Sequence, residues 1–174
     1  MKKTTLLGFE LELFTIDSSG AISSKVDSIL SQVTRKEFPH LKKECAKNML
    51  EVIGSPFPSV HGAMNDLMTH VEFASYVAEK EKLLLCPLSC YPGVFAPSMR
   101  KEKLYRIKER IFGPRKFQIA GRCIGFHCHT DLPHGIFDDE VRALQLLVGA
   151  KVRDAMVNSY NLMIATDPIF STFA

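Results

Sequence analysis

Gly8-Phe9-Glu10-Leu11-Glu12-Leu13-Phe14 reads as a β-strand that carries two carboxylates where a half-buried strand would place apolar groups. Side chains on a strand alternate faces, so Glu10 and Glu12 share one face while Phe9, Leu11 and Leu13 share the other. Their Cα atoms would stand roughly 7 Å apart. At an effective dielectric of about 20, two negative charges at that spacing repel by about 2 kcal/mol. A shared proton or a cation has to offset that repulsion, and the pair suggests a site for a hard divalent metal.

The rest of the composition is that of an ordinary soluble globular protein. The 174 residues are 46% hydrophobic and 24% charged, enough to bury a real core, and one domain spanning residues 1–174 is expected. A net charge of +3, with no long Lys/Arg run, argues against a nucleic-acid footprint. Polar threonines and acidic strand residues follow Met1-Lys2-Lys3, so no signal-peptide core is expected. No apolar run reaches the roughly 20 residues of a membrane helix. Five cysteines, an odd number, favour free thiols over a disulfide framework, and the chain reads as cytoplasmic and reduced.

Along the chain, residues 4–16 form the first strand, closed by Asp17-Ser18-Ser19-Gly20. The spacing of Val26, Ile29, Leu30 and Val33 predicts a helix over 26–36. Residues 47–53 alternate as a second strand, with Met49, Glu51 and Ile53 on one face. Gly54 to Ser59 is a breaker and helix-start cluster, and the stripe Val60, Met64, Leu67, Met68, Val71, Ala74, Val77 and Ala78 predicts a helix over 60–83. A buried strand at 84–89, a basic helix at 101–112 and a long strand at 117–131 with a bend at Gly121 or Gly125 are expected next. Acidic residues at Asp138-Asp139-Glu140 suit the first turn of a last helix running to about Asn161. Amphipathic strands between helices argue for an α+β fold, a mostly antiparallel sheet with helices packed on one face.

The other face then carries the chemistry. Gly125-Phe126-His127-Cys128-His129-Thr130-Asp131 sets His127 and His129 on one face of a strand, an arrangement that suits a metal or a phosphate. Glu51, between Leu50 and Val52, asks for a cation. Glu44 lies on the wrong parity to join it unless a bulge or loop intervenes near residues 45–47. Arg100, Arg106, Arg110, Arg115 and Arg122 are candidates for gripping phosphate, since guanidinium matches it bidentately. No Walker loop or dinucleotide glycine fingerprint is present. Cys86, Cys90, Cys123 and Cys128 invite a structural-zinc reading, but their spacings are not the usual knuckles, and most of these cysteines are read as small core residues.

Taken in order, Gly8-Phe9-Glu10-Leu11-Glu12, Met49-Leu50-Glu51-Val52-Ile53 and Gly125-Phe126-His127-Cys128-His129 resemble the carboxylate–amine ligases of the glutamate–cysteine ligase type 2 family. The resemblance implies a glutamine-synthetase-like catalytic sheet that holds ATP and Mg²⁺, or Mn²⁺ in its place, on its open face. By that likeness Glu10, Glu12, Glu51 and His127 form the catalytic metal-binding set, with Glu44 as a further ligand. His129 would lie beside the nucleotide phosphates or metal, and Arg122 and Arg115 are the arginines assigned to phosphate on their guanidinium chemistry. The implied chemistry is phosphorylation of a substrate carboxylate by ATP, then attack by an amine to give an amide; amino acid and amine are the implied partners. A non-catalytic metal- or nucleotide-binding module of the same fold is the alternative. Family members are longer and draw further strands, a metal carboxylate and arginines from a later half. This chain is therefore expected to be a partial domain, and a half sheet with an open edge is expected to oligomerise.

Overall fold

Leu7–Ile16 forms β1, the central strand of the sheet, because its apolar residues on one face have two helices to cover them. The structure, a computed structural model, describes residues 5–33, 38–131, 137–138, 143–144 and 150–173. Two compact units are distinguished: Leu6–His129, and a second made of Met1–Thr5 with Thr130–Ala174.

The first unit is built on a five-stranded sheet. Leu41–Lys43 forms β2, Met49–Ile53 β3, Leu84–Cys86 β4 and Phe126–Thr130 β5. The order is β2-β3-β1-β4, with β5 also paired to β1, and β1 runs antiparallel to both β3 and β4. Two helices cover one face, α1 at Val26–Ser31 and α2 at Val60–Lys80. Ser59 caps α2 by accepting the Gly62 N–H at 3.1 Å. Between these layers lies the main core: Phe9, Leu13, Leu50 and Val52 from the sheet against Ile29, Leu67, Ala74 and Val77 from the helices.

The buried stripe of α2 is Ala63, Leu67, His70, Ala74, Val77 and Ala78. It is rotated from the expected one, leaving Val60 and Met68 exposed, and it takes in a histidine. His70 stacks on His40 at 3.8 Å between centroids and faces Asp66 at 3.2 Å, and burial pushes its pKa down.

Lys103–Phe112 forms α3 and Pro114–Ala120 forms α4, where the sequence reading expected the start of a strand. Gly113, at φ +79°, ends α3 in a conformation that glycine adopts without penalty. Pro114 then opens α4 at its first position, where the missing N–H costs nothing. Tyr105 and Phe117 pack with Phe14, Met49, Cys45 and Ala46 in a second apolar cluster. Through Phe14 and Met49 this cluster lies on the sheet face opposite α1 and α2.

In the second unit Phe137–Asp138 (β6) pairs antiparallel with Ala143–Leu144 (β7), and Ala150–Phe173 forms α5. The expected helix start at residues 138–140 is therefore replaced in part by a strand pair. Residues 132–136, with the expected turn at Pro133-His134-Gly135, lie outside the described residues. The helix also continues past Asn161 and through Pro168, which removes one N–H donor from the ladder without ending it. Among the described residues no helix is long and apolar enough to cross a membrane.

Leu50 is fully buried in the main core. Replacing it by alanine should cost about 2–5 kcal/mol, read as a lower urea midpoint with an unchanged slope. A loss under about 1 kcal/mol would mean that the sheet and α2 do not share this core.

Candidate metal centre

The register of β1 on β3 sets Glu12 directly opposite Glu51, with Glu10 opposite Ile53 and Phe14 opposite Met49. Cross-strand partners share a face, so Glu10, Glu12 and Glu51 stand together on the face away from α2. Lys42 lies opposite Glu51 on its other side. Like charges directly opposite destabilise a ladder, so the apolar face holds this register against the carboxylates.

Glu44 joins them through the hairpin. β2 ends at Lys43, and the chain turns at residues 44–48, where the Glu44 N–H donates to Met49 O at 3.3 Å and the Met49 N–H to Ala46 O at 3.2 Å. Lys42 shares the face of Glu51, and Glu44 follows two residues later, so the loop required for Glu44 is present. Its carboxylate accepts the Cys45 N–H at 2.6 Å.

The histidine strand is fastened to β1 by a pair of contacts at Gly125. The Glu12 N–H donates to Gly125 O at 3.0 Å, and the Gly125 N–H donates to the Glu12 carboxylate, Oε2, at 2.8 Å. Phe126 stacks on Phe9 at 5.3 Å, on the opposite face from the carboxylates. His127 and His129 then converge on Glu10: its Oε2 lies 3.6 Å from His127 Nδ1 and 3.1 Å from His129 Nε2. One ligand atom from each of these three side chains lies within 4.8 Å of the others. Two imidazoles and a carboxylate form a donor set that suits a divalent metal.

The electrostatics agree with a site built for positive charge. Burial pushes the Glu12 carboxyl up, and Glu44 and Glu10 add to that rise, against the Gly125 N–H and His127. Burial also raises Glu51, with Glu10 and Glu44 adding to it and Lys42 opposing. A cation among these groups would relieve both effects.

The arginines divide. Arg100 turns inward: its Nε donates to Glu44 O at 2.9 Å, and Nη1 reaches both Asp27 carboxylate oxygens at 2.8 and 3.0 Å. It braces the hairpin turn that carries Glu44. Arg115 is exposed on α4, and Arg122 is exposed in the turn after it, ahead of β5 rather than on the histidine strand. Only Cys45 of the five cysteines is buried; Cys90, Cys123 and Cys128 are exposed, which corrects the core reading. Among the described residues Glu10, His127 and His129 form the one trio of acidic, histidine or cysteine ligands that converges. Two contributors escaped the sequence reading. Gly125 acts through its amide, which the Gly-x-His-x-His pattern could have flagged, and Lys42 reaches the face through a three-residue strand too short to show a period.

The family model for Glutamate-cysteine ligase family 2 matches residues 6–149. Among solved structures, a bifunctional glutathione synthetase from Pasteurella multocida shares the fold, with a TM-score of 0.57 and 18% identity. The likeness covers 84% of this chain and 20% of that one. No curated protein sequence matches the chain.

Glu12 and Glu51 are raised in the folded state above the ordinary glutamate value of 4.5. The stability they contribute is thus full below that value and lost as pH rises through their folded-state values. Glu51→Gln should raise the Tm of the metal-free protein at pH 7 by about 2–4 °C, a gain that disappears at pH 4. Melting curves at both pH values check this, and a lower Tm at pH 7 would contradict the repulsion.

Proposed function

Because this chain belongs to Glutamate-cysteine ligase family 2, we propose that it supplies the metal- and nucleotide-binding wall of an ATP-dependent carboxylate–amine ligase. The observation that carries the reading is the meeting of Glu10, Glu12, Glu44, Glu51, His127 and His129 on one sheet face. The donor atoms around Glu10 and the mutually repelling carboxylates of Glu12 and Glu51 fit a divalent cation, Mg²⁺ or Mn²⁺.

A cation held there would neutralise charge on the phosphate oxygens of ATP during phosphoryl transfer. The chain's own residues do the positioning. The Gly125 amide fixes the Glu12 carboxylate, and Glu10 orients both imidazoles. Arg115 and Arg122, exposed on a helix and the turn after it, are the arginines assigned in this proposal to phosphate. In the proposed reaction the substrate carboxylate attacks the γ-phosphorus, ADP leaves, and an amine displaces phosphate from the acyl phosphate to give the amide. Glutamate and cysteine are the substrates suggested by the family name. The chain spans 20% of the solved neighbour's length, so we include in the proposal a second copy or further polypeptide that completes the site.

The folded chain, supplied with any completing polypeptide, should release ADP from Mg·ATP only when an amino acid and an amine are both present. Glu12→Gln should reduce that release by about 100-fold, the scale of losing one electrostatic stabiliser. Binding of Mg²⁺ or ATP by calorimetry with no ADP release would instead identify a non-catalytic module.

A further inference from the structure

Cys90 and Cys123 face each other with Sγ atoms 3.6 Å apart. They form an isolated antiparallel bridge between the segment after β4 and the segment leading into β5. The Ile124 N–H donates to Ser89 O at 2.9 Å, one residue outside the pair on each side. That pattern marks a non-hydrogen-bonded antiparallel pair, whose Cα atoms approach to about 4.5 Å with side chains at their closest. A disulfide requires Cα atoms about 4.4–6.8 Å apart, so the backbone is already set for one. Both thiols are free and exposed, within reach of a small oxidant.

We propose that Cys90 and Cys123 are a redox site that closes to a disulfide by exchange with a low-molecular-weight disulfide and reopens with a thiol. One thiolate, its proton lost to solvent, attacks a sulfur of the small disulfide and expels one small thiolate. The other cysteine then attacks the mixed disulfide and expels the second. The protein loses two hydrogens, and the small disulfide is reduced to two thiols. Partial burial and the contact with Cys90 push the Cys123 thiol up, so exchange quickens with rising pH.

The bridge has a structural consequence at the metal centre. Cys123 stands two residues before Gly125, whose amide and carbonyl both bind Glu12. Closing the bridge ties the entry of β5 to the segment after β4 and restrains the strand that carries His127 and His129. The inference rests on the cysteine geometry alone and is independent of the ligase reading.

Treating the full chain with hydroxyethyl disulfide, trapping remaining thiols and mapping the digest by mass spectrometry tests it. The expected product is a Cys90–Cys123 cross-linked peptide about 2 Da below the sum of its reduced parts, lost on adding dithiothreitol. Buried Cys45 should be recovered alkylated, and exposed Cys128 should carry at most a mixed disulfide with mercaptoethanol and stay outside the cross-link. The oxidised chain should melt about 5 °C or more above the reduced chain, and Cys90→Ser and Cys123→Ser should each abolish that shift while folding normally. Either no such peptide, or the same yield in urea-unfolded as in folded protein, would overturn the proposal.

Discussion

The register of β1 on β3 is the constraint on which the rest depends. Leu13 lies opposite Leu50 and Leu11 opposite Val52 because that face is sealed by α1 and α2. A slip by one residue would turn every apolar side chain out and every carboxylate in. The same register leaves Glu12 facing Glu51, an arrangement that the ladder would not choose for itself. Hydrophobic burial on one face thus holds a concentrated negative charge on the other.

That charge is organised rather than merely crowded. Glu12 spends its carboxylate on the Gly125 amide, which couples the central strand to the histidine strand. Glu10 faces both imidazoles, while Glu51 has Lys42 as its cross-strand neighbour. Arg100 is committed to Asp27 and to the backbone at Glu44. The second apolar cluster packs Phe14 and Met49, which share the face of the carboxylates, with Tyr105 and Phe117. Negative charge and imidazole ligand atoms are thereby fixed on one face of the sheet by groups that are already hydrogen-bonded or paired.

Membership of Glutamate-cysteine ligase family 2 and the fold shared with the glutathione synthetase give this wall its context. The three short motifs lie far apart in sequence, between residues 8 and 129, and meet only because β3 and β5 both pair with β1. Cys90 and Cys123, 33 positions apart, are brought together in the same way, by the bridge at the foot of β5.

The sequence by itself determined the strands whose side chains alternate over five residues or more, and the face that each carboxylate and histidine occupies. Phe9-Glu10-Leu11-Glu12-Leu13 and Leu50-Glu51-Val52 announce both, because a period of two is a local property. Ser59 likewise marked the start of α2 through its own side chain. What only the tertiary structure decided was non-local. Residues 117–120 are helical because Gly113 and Pro114 restart a helix whose Phe117 has a core to enter. Glu44 shares the face of Glu51 because a hairpin turn, invisible to parity counting, returns the chain. Arg100 is buried because Asp27, far away in sequence, receives it. Periodicity fixes which way a side chain points along its own strand; which groups it meets there depends on pairings between strands, and those are set by the shared core.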